Sequence, residues 1–524
     1  MRKAFSTILI ALLAVVAFAQ PKEAEYGYVK KSITRLADGS TDYNVSFSLT
    51  LFTHTAMNST YGQTYVIYNP RYQQVKINKA YTIRKDGKRI DLPERALSDV
   101  LPSWAAGAAD FNDLKEKVIV HTGLDLGSTI YLDYTIHSAP GFNKFFDFRE
   151  RIDETSPIKE FVLTVSAPLK DSLRCKLYSP TGKPVLADVV EGSGVRRVNY
   201  MLSDIPARSR DEFQVNDLTR HYNFFCTISD FETELKDMFY GELDPDIRQW
   251  AGQVVSSEPD ASKRYRQIRN YVANEFVVIN IPLGVANGLR PMAQIRRGAY
   301  ITPYEQAALL NQMLRACNIK SDVRASFDQT LPAEFRTLNN VQQFYVTQQI
   351  GEEEKTLVPS TNSGEVTPAM AVGLGYERIR TDQGMQVEKT YNLEVKTSDF
   401  RDGCHVFTLP ANKAGVADWG MAALPTLRET DFELPAIIDE TETYIVKVPR
   451  GTTLRNTISL SMCDPATGAA ISEQATVGDD GVIKVLRHIS LPKKIYTPEE
   501  YGAVRKIIMK WLDSNRRKLM LTNN

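Results

Sequence analysis

Cysteine is scarce in this chain. Only five occur in 524 residues, at positions 175, 226, 317, 404 and 463, and no two form a CxxC. That spacing excludes a small scaffold whose disulfides stand in for a core. Histidine is nearly as rare, at six, and no pair falls at HExxH spacing, so a metal site built from sequence neighbours is excluded as well. Net charge is absent, with 63 Lys and Arg against 63 Asp and Glu. Nucleic-acid affinity rests on clustered cations, so no nucleic acid is expected among the partners. No cofactor and no metal is expected either. Beyond the first twenty residues no apolar run approaches the ~18 residues of a bilayer-spanning helix. Apolar residues, by contrast, are plentiful at 43%, enough for every part of the chain to bury a core. At ~100–200 residues per domain, the length implies about three domains.

Arg2 and Lys3, the apolar run Ile8–Val16 and the small-x-small triplet Ala17-Phe18-Ala19 read as a secretory signal peptide over residues 1–19. The run is too short to anchor the chain across a bilayer of ~20 helical residues. Its removal takes two cations and leaves the mature chain at −2. An exported protein is expected, in the periplasm or at the cell surface. Its odd cysteine count leaves at least one thiol free or paired between chains.

Three sections follow. Residues 20–225 alternate in short β-rich runs, among them Asp42–Phe52, Gln63–Tyr68, Val75–Ile83, Thr129–Ile136 and Glu160–Val165, punctuated by Asp38-Gly39, Asp86-Gly87 and Thr181-Gly182. Such strands predict an antiparallel β-sandwich. Residues 226–375 turn helical at Asp244–Val255 and Ala261–Glu275. Thr302-Pro303-Tyr304-Glu305 is then a capping box, with Pro at the first helical position, before the run AALLNQMLRACNI. Strands near Asp322–Phe327 and Gln343–Gln348 complete an α+β section. Residues 376–524 return to strands, and a second capping box, Thr497-Pro498-Glu499-Glu500, opens a closing helix that packs on the β layer. Arg516-Arg517-Lys518 reads as that helix's C-terminus.

Several stretches carry a resemblance. In the first section they are AYTIRKDGKRI (Ala80–Ile90) and GSTIYLDY (Gly127–Tyr134); in the second, Ile268–Val272 and GAYITPYEQAALLNQMLRACNI (Gly298–Ile319). The third adds YIVKVPRG (Tyr444–Gly451) and YTPEEY (Tyr496–Tyr501). In this order the chain resembles secreted bacterial proteins with a β-rich domain of unknown function, a transglutaminase-like (papain-like) core and a C-terminal β-rich domain. The resemblance implies a Cys-His-Asp triad, with the thiol at a helix N-terminus, where the dipole favours the thiolate, and a histidine as base. Here Pro303 stands where the cysteine belongs, Gln342 (or Val341) where the histidine belongs, and Val358 where the aspartate belongs. No histidine lies between His221 and His405. The triad reads as lost, and fold alone does not restore function.

Other candidates have plainer readings. Cys317 continues the stripe Leu310, Met313, Leu314 and reads as a core thiol. His221 and Cys226 lie in HYNFFC, read as an aromatic linker, and Cys404 and His405, adjacent on a strand, face opposite ways. Val277–Arg290 reads as a connection packed on the core, or as the lining of a groove. The expected function is therefore non-catalytic, binding or scaffolding in the bacterial cell envelope: an extended peptide or glycan held at a groove bordered by Thr302, Tyr304, Glu305, Gln342 and Tyr345, or an envelope protein as partner. The competing expectation is a cysteine-dependent hydrolase or acyltransferase with a displaced site, such as Cys226 with His221 or His405.

Overall fold

The computed structural model describes residues 22–523 apart from 216, 329, 352, 358–364, 367–384, 413–414 and 479–480. The segment read as a signal peptide, and Val358, lie outside the described residues. The chain divides into two compact units, residues 1–208 with 217–373, and residues 209–216 with 374–524.

The first unit begins with an eight-stranded sheet. Its order is 188–192, 195–205, 158–168, 24–35, 41–51, 129–138, 73–83 and 89–91. Alternate residues such as Ile33, Leu49, Leu51, Phe161, Leu163 and Val165 point into one core, the period-two burial that the β-rich runs imply. Tight turns close the hairpins: Gly39 (φ +89) and Gly87 (φ +82) take the left-handed conformation, and Asp38 and Asp86 accept backbone N–H bonds two residues on. The expectation of a purely antiparallel sandwich needs correction at one seam, where strands 24–35 and 158–168 pair in parallel. Each pairs antiparallel on its other side, 24–35 with 41–51 and 158–168 with 195–205, so two antiparallel sets join through these strands.

Two three-stranded sheets flank this layer, one of 63–68, 115–120 and 97–100, the other of 174–178, 223–227 and 148–151. HYNFFC is therefore not a linker. Its residues 223–227 form the buried central strand of the second sheet, because five consecutive enclosed side chains can be covered only from both faces.

Helices then follow: α1 (Phe231–Phe239), α2 (Pro245–Val255), α3 (Ala261–Asn274), the short α4 (Leu283–Ala286) and α5 (Met292–Arg297), and α6 (Pro303–Ala316). Behind α6 comes an antiparallel sheet of 320–327, 341–350, 353–357 and 365–366. Aspartates cap α1, α2 and α3, and Thr302 with Glu305 forms the expected reciprocal box at α6. Ile247, Trp250, Ile268, Val272, Leu310, Met313 and Leu314 meet Val323, Phe344 and Val346 in one core.

In the second unit, strands 385–394, 438–447, 482–491, 470–477 and 459–463 form a sheet whose first pair is parallel. The closing helix α7 (Pro498–Leu512) covers it with Tyr501, Val504, Ile508 and Trp511. Arg516-Arg517-Lys518 does not end that helix. A 3-10 turn intervenes, and Lys518–Asn523 is a strand pairing with 404–408 and 452–454, since Leu519 and Leu521 alternate into a core.

Buried between sheet and helix, Arg487 donates to Glu442 Oε2 at 2.9 Å, Glu473 Oε1 at 3.0 Å and the Trp511 carbonyl at 2.8 Å. Substitution Arg487→Met should leave the enclosed Glu442 without its cation and Glu473 with Arg516 alone, and lower the urea stability of this unit by ~3–5 kcal/mol. In the first unit, Lys159→Met removes the solvent-facing lysine of the Lys159–Glu25 pair and should leave the urea midpoint of that unit close to unchanged.

Candidate functional site

The positive end of helix α6 is where the resemblance would place a nucleophile, and there the structure puts an ion-pair lock. Glu305, fully buried, accepts from the Thr302 N–H at 3.0 Å, while its own N–H donates to Thr302 Oγ1 at 3.3 Å. Arg290 closes on the same carboxylate: its N–H and Nε reach Oε1 at 3.0 and 2.8 Å, and Nη2 reaches Oε2 at 2.7 Å. Nη1 donates to Asp110 Oδ2 at 2.5 Å, and Tyr300 Oη donates to the same oxygen at 2.8 Å. The guanidinium stacks 4.2 Å from the Tyr300 ring centroid. Burial works against the charge of Arg290, but its bonds to Glu305 and Asp110 outweigh that and raise its pKa. Partial burial likewise opposes the charge of Asp110, yet Arg290 and Tyr300 hold its carboxyl below the usual range. Asp110 arrives on a segment whose Ala105, Ala108, Phe111 and Leu114 pack on Ile281 and Tyr300. The helix dipole is thus satisfied by the chain's own carboxylate.

The residues expected to border a groove mostly do not. Thr302, Tyr304, Glu305 and Tyr345 are enclosed, and α6 lies against strands 320–327 and 341–350 with core side chains filling the space. Pro303 is half-buried. Gln342 alone of the groove candidates is exposed, at a bulge where Ser326 pairs with Gln343 and Phe327 with Val341. The correction has a simple cause: Leu310, Met313 and Leu314 are too apolar to leave a wetted cleft beneath the helix.

Three of the five cysteines are enclosed in ways that disfavour the thiolate. Burial pushes the Cys226 thiol well up, the half-buried Cys317 up, and Cys175 to about 11. His221 is buried with Nδ1 2.8 Å from Asp153 Oδ2. Cys226 instead points its Sγ at the Phe146 carbonyl, 3.8 Å away. Cys404 and His405 sit consecutively on strand 404–408.

An open cavity of about 290 Å³ lies elsewhere in the same unit, walled by Gly141–Asp147, α1, Leu283–Leu289, Leu338 and Asn339. The lining stretch Leu283–Leu289 is followed directly in the chain by Arg290, and Asn339 stands just before strand 341–350. Two acids line it. Glu234, on α1, accepts from the Leu338 N–H at 2.7 Å through Oε2, leaving Oε1 buried without a partner. Asp147 Oδ2 is likewise buried and unpartnered. Burial pushes Asp147 up to about 6, partly offset by Thr337 and Asn339, and burial pushes Glu234 up to about 8, with the charge of Asp147 adding to it. Enclosure thus favours the protonated form of both carboxyls, more strongly at Glu234. The nearby backbone is unusual: Asn143 (φ 46), Phe146 (φ 51) and Asn287 (φ 61) all occupy the left-handed region, and the Asn143 N–H donates to Asn287 Oδ1 at 3.2 Å.

Sequence reading passed over both acids. Asp147 had one visible signal, a carboxylate set among Phe145, Phe146 and Phe148. Glu234 had none, because an acid in a helix's first turn ordinarily reads as a solvated dipole partner. Among the described residues no group of three His, Cys, Asp or Glu side chains is arranged to hold a metal.

Comparison with known proteins bears on the whole chain. A domain of unknown function with a solved structure, DUF3857, matches residues 37–209, and a second, DUF3858, matches residues 405–521. A crystal structure from Parabacteroides distasonis, named a "putative protease", is 32% identical over 95% of this chain and 99% of that one, with a TM-score of 0.71. The chain belongs to that protein's family. The M1 zinc metallopeptidase of Deinococcus radiodurans matches at 9% identity over 56% of this chain and 64% of its own, and a variant of it at 11% over 56% and 63%. Their TM-scores of 0.19 and 0.20 carry no argument. No curated protein matches.

The carboxyl pair makes stability depend on pH. Both groups ionise near 4 when unfolded but near 6 and 8 when folded, so the folded chain keeps protons that the unfolded chain has released. Stability of the first unit should therefore fall as pH rises from about 4 to 8, by a few kcal/mol. The Asp147→Asn, Glu234→Gln double variant should flatten that slope in urea titrations and gain stability at pH 8.

Proposed function

We propose that this chain is an exported, non-catalytic member of its family, built on a transglutaminase-like central frame, that binds an extended peptide in the cell envelope. One observation carries the reading. The helix end that would have to polarise a nucleophile carries Pro303, which has no N–H, and is neutralised by Glu305 and sealed by Arg290, Tyr300 and Asp110. The order of α6 followed by antiparallel strands supports the frame, and the raised pKa values of the buried thiols speak against a displaced cysteine nucleophile.

The cavity at Asp147 and Glu234 supplies the binding surface. Its volume admits one side chain; Leu283, Leu289, Leu338 and Met238 give it apolar walls, and Asn143, Asn287 and Asn339 offer donors and acceptors. A peptide is preferred to a glycan because the 32% identical relative bears the name of a protease, an enzyme class that recognises peptides. The sequence at Ala17-Phe18-Ala19 supports export, with the mature chain starting at Gln20.

Titration of the purified mature chain with a library of short peptides should give saturable binding with no cleavage over hours by mass spectrometry. Gly284→Leu fills the cavity at a position where a Cβ's nearest contacts are all in the Asn339 side chain, the shortest to Oδ1 at 3.6 Å, and should weaken binding about tenfold or more. Cleaved peptide would overturn the non-catalytic reading. Binding that Gly284→Leu leaves intact, or that only oligosaccharides show, would overturn the assignment of cavity and ligand. N-terminal sequencing of the protein recovered from the envelope should begin at Gln20.

A further inference from the structure

Cys175 lies on edge strand 174–178 and Cys226 on the central strand 223–227, directly opposite each other in antiparallel register. Opposed residues on such strands share a face, and both thiols meet the core that contains Leu173, Leu177 and Phe224. Opposed pairs alternate between hydrogen-bonded and non-hydrogen-bonded kinds, and only the second brings the Cα atoms to about 4.5 Å.

The direction of the edge strand's carbonyls decides which kind this is. The Cys175 carbonyl accepts from Tyr200 Oη at 3.1 Å, and the Leu177 carbonyl accepts from the Val185 N–H at 2.7 Å. Both donors stand outside the strand pair, and 174–178 has no sheet neighbour except 223–227. The carbonyls therefore turn away from the partner strand, so Cys175 and Cys226 form a non-hydrogen-bonded pair. That spacing falls inside the Cα separation a disulfide accepts, about 4.4–6.8 Å. The remaining cysteines have no such counterpart: Cys404 opposes Thr522, Cys463 opposes Ala470, and Cys317 ends helix α6.

We propose that Cys175 and Cys226, free thiols in the structure, form a cross-strand disulfide when the chain folds in the presence of an exchanging disulfide, while Cys317, Cys404 and Cys463 remain thiols. The Cys175 thiolate attacks one sulfur of a small disulfide such as oxidised glutathione and expels one thiolate. The Cys226 thiolate then attacks Cys175 Sγ and expels the second. The protein loses two electrons and two protons, and one external disulfide becomes two thiols. The bond closes a loop containing strands 188–192 and 195–205, and it fastens the edge of the sheet whose other edge, 148–151, follows Asp147. Cys226 is buried, so exchange belongs to folding rather than to the finished structure.

The test uses the full mature chain, unfolded in guanidinium, refolded in a glutathione redox buffer, blocked with iodoacetamide and digested without reduction. The expected product is a linked pair of peptides carrying Cys175 and Cys226, two hydrogens lighter than their sum. Reduction by a phosphine should then lower the melting temperature by about 3–10 °C. The Cys175→Ala, Cys226→Ala variant should refold to the same circular dichroism spectrum and show no reduction-dependent shift. Recovery of either cysteine as an iodoacetamide or glutathione adduct in most molecules, a link to any other cysteine, or a shift retained by the double variant would each overturn the proposal.

Discussion

A carboxylate placed at the third position of a helix can satisfy the N-cap N–H only if its remaining charge is met, and Glu305 is buried where water cannot meet it. Arg290 does so from three directions, and its own spare N–H then requires Asp110. From that requirement follow the path of the segment before α6, the docking of the Ala105–Leu114 segment on Tyr300, and the closure of the helix tip. Buried ion pairs add little net stability compared with apolar packing. What this one fixes is position: the lining stretch Leu283–Leu289 leads directly into Arg290, the residue that grips Glu305.

Local signals were legible where local physics decides. Thr302-Pro303-Tyr304-Glu305 and Thr497-Pro498-Glu499-Glu500 announce their helices because a capping box is written in four residues, and both boxes form. Alternation gave the strands for the same reason. What sequence could not show was which strands meet. Strand 24–35 looks no different whether its neighbour 158–168 runs with it or against it. The strand within HYNFFC was missed because burial on both faces erases alternation, and the last strand because two buried leucines make too short a pattern to stand out from a helix end.

The site was less legible than the fold, and the reason is distance. Arg290 and Asp110 are 180 residues apart, and Asp147 and Glu234 come from a loop and a helix far apart in the chain. Acids are common in this sequence, so nothing local separates one that will be buried from one that will be solvated. The resemblance to a triad-bearing family pointed to the end of α6, and the structure shows that end occupied by the chain's own side chains. A polarised helix terminus needs an anion or acceptor, and Glu305 meets that need.

The cavity and the cysteine pair belong to one mechanical element. Strand 148–151, which follows Asp147, pairs with 223–227, and Cys226 on that strand opposes Cys175. The Phe146 carbonyl, one residue before Asp147, faces Cys226 Sγ. Asn143 and Phe146 hold left-handed conformations, which cost energy and persist only where their surroundings leave no alternative. A three-stranded sheet is the smallest that holds its own shape, so whatever stiffens its far edge also steadies the loop that presents Asp147. The buried carboxyls pull the other way, since the ionised form of each is disfavoured by the enclosure that the sheet enforces. A cavity wall set between these two tendencies can be both well positioned and responsive to a cationic or hydrogen-bonding group that relieves the unpartnered oxygens.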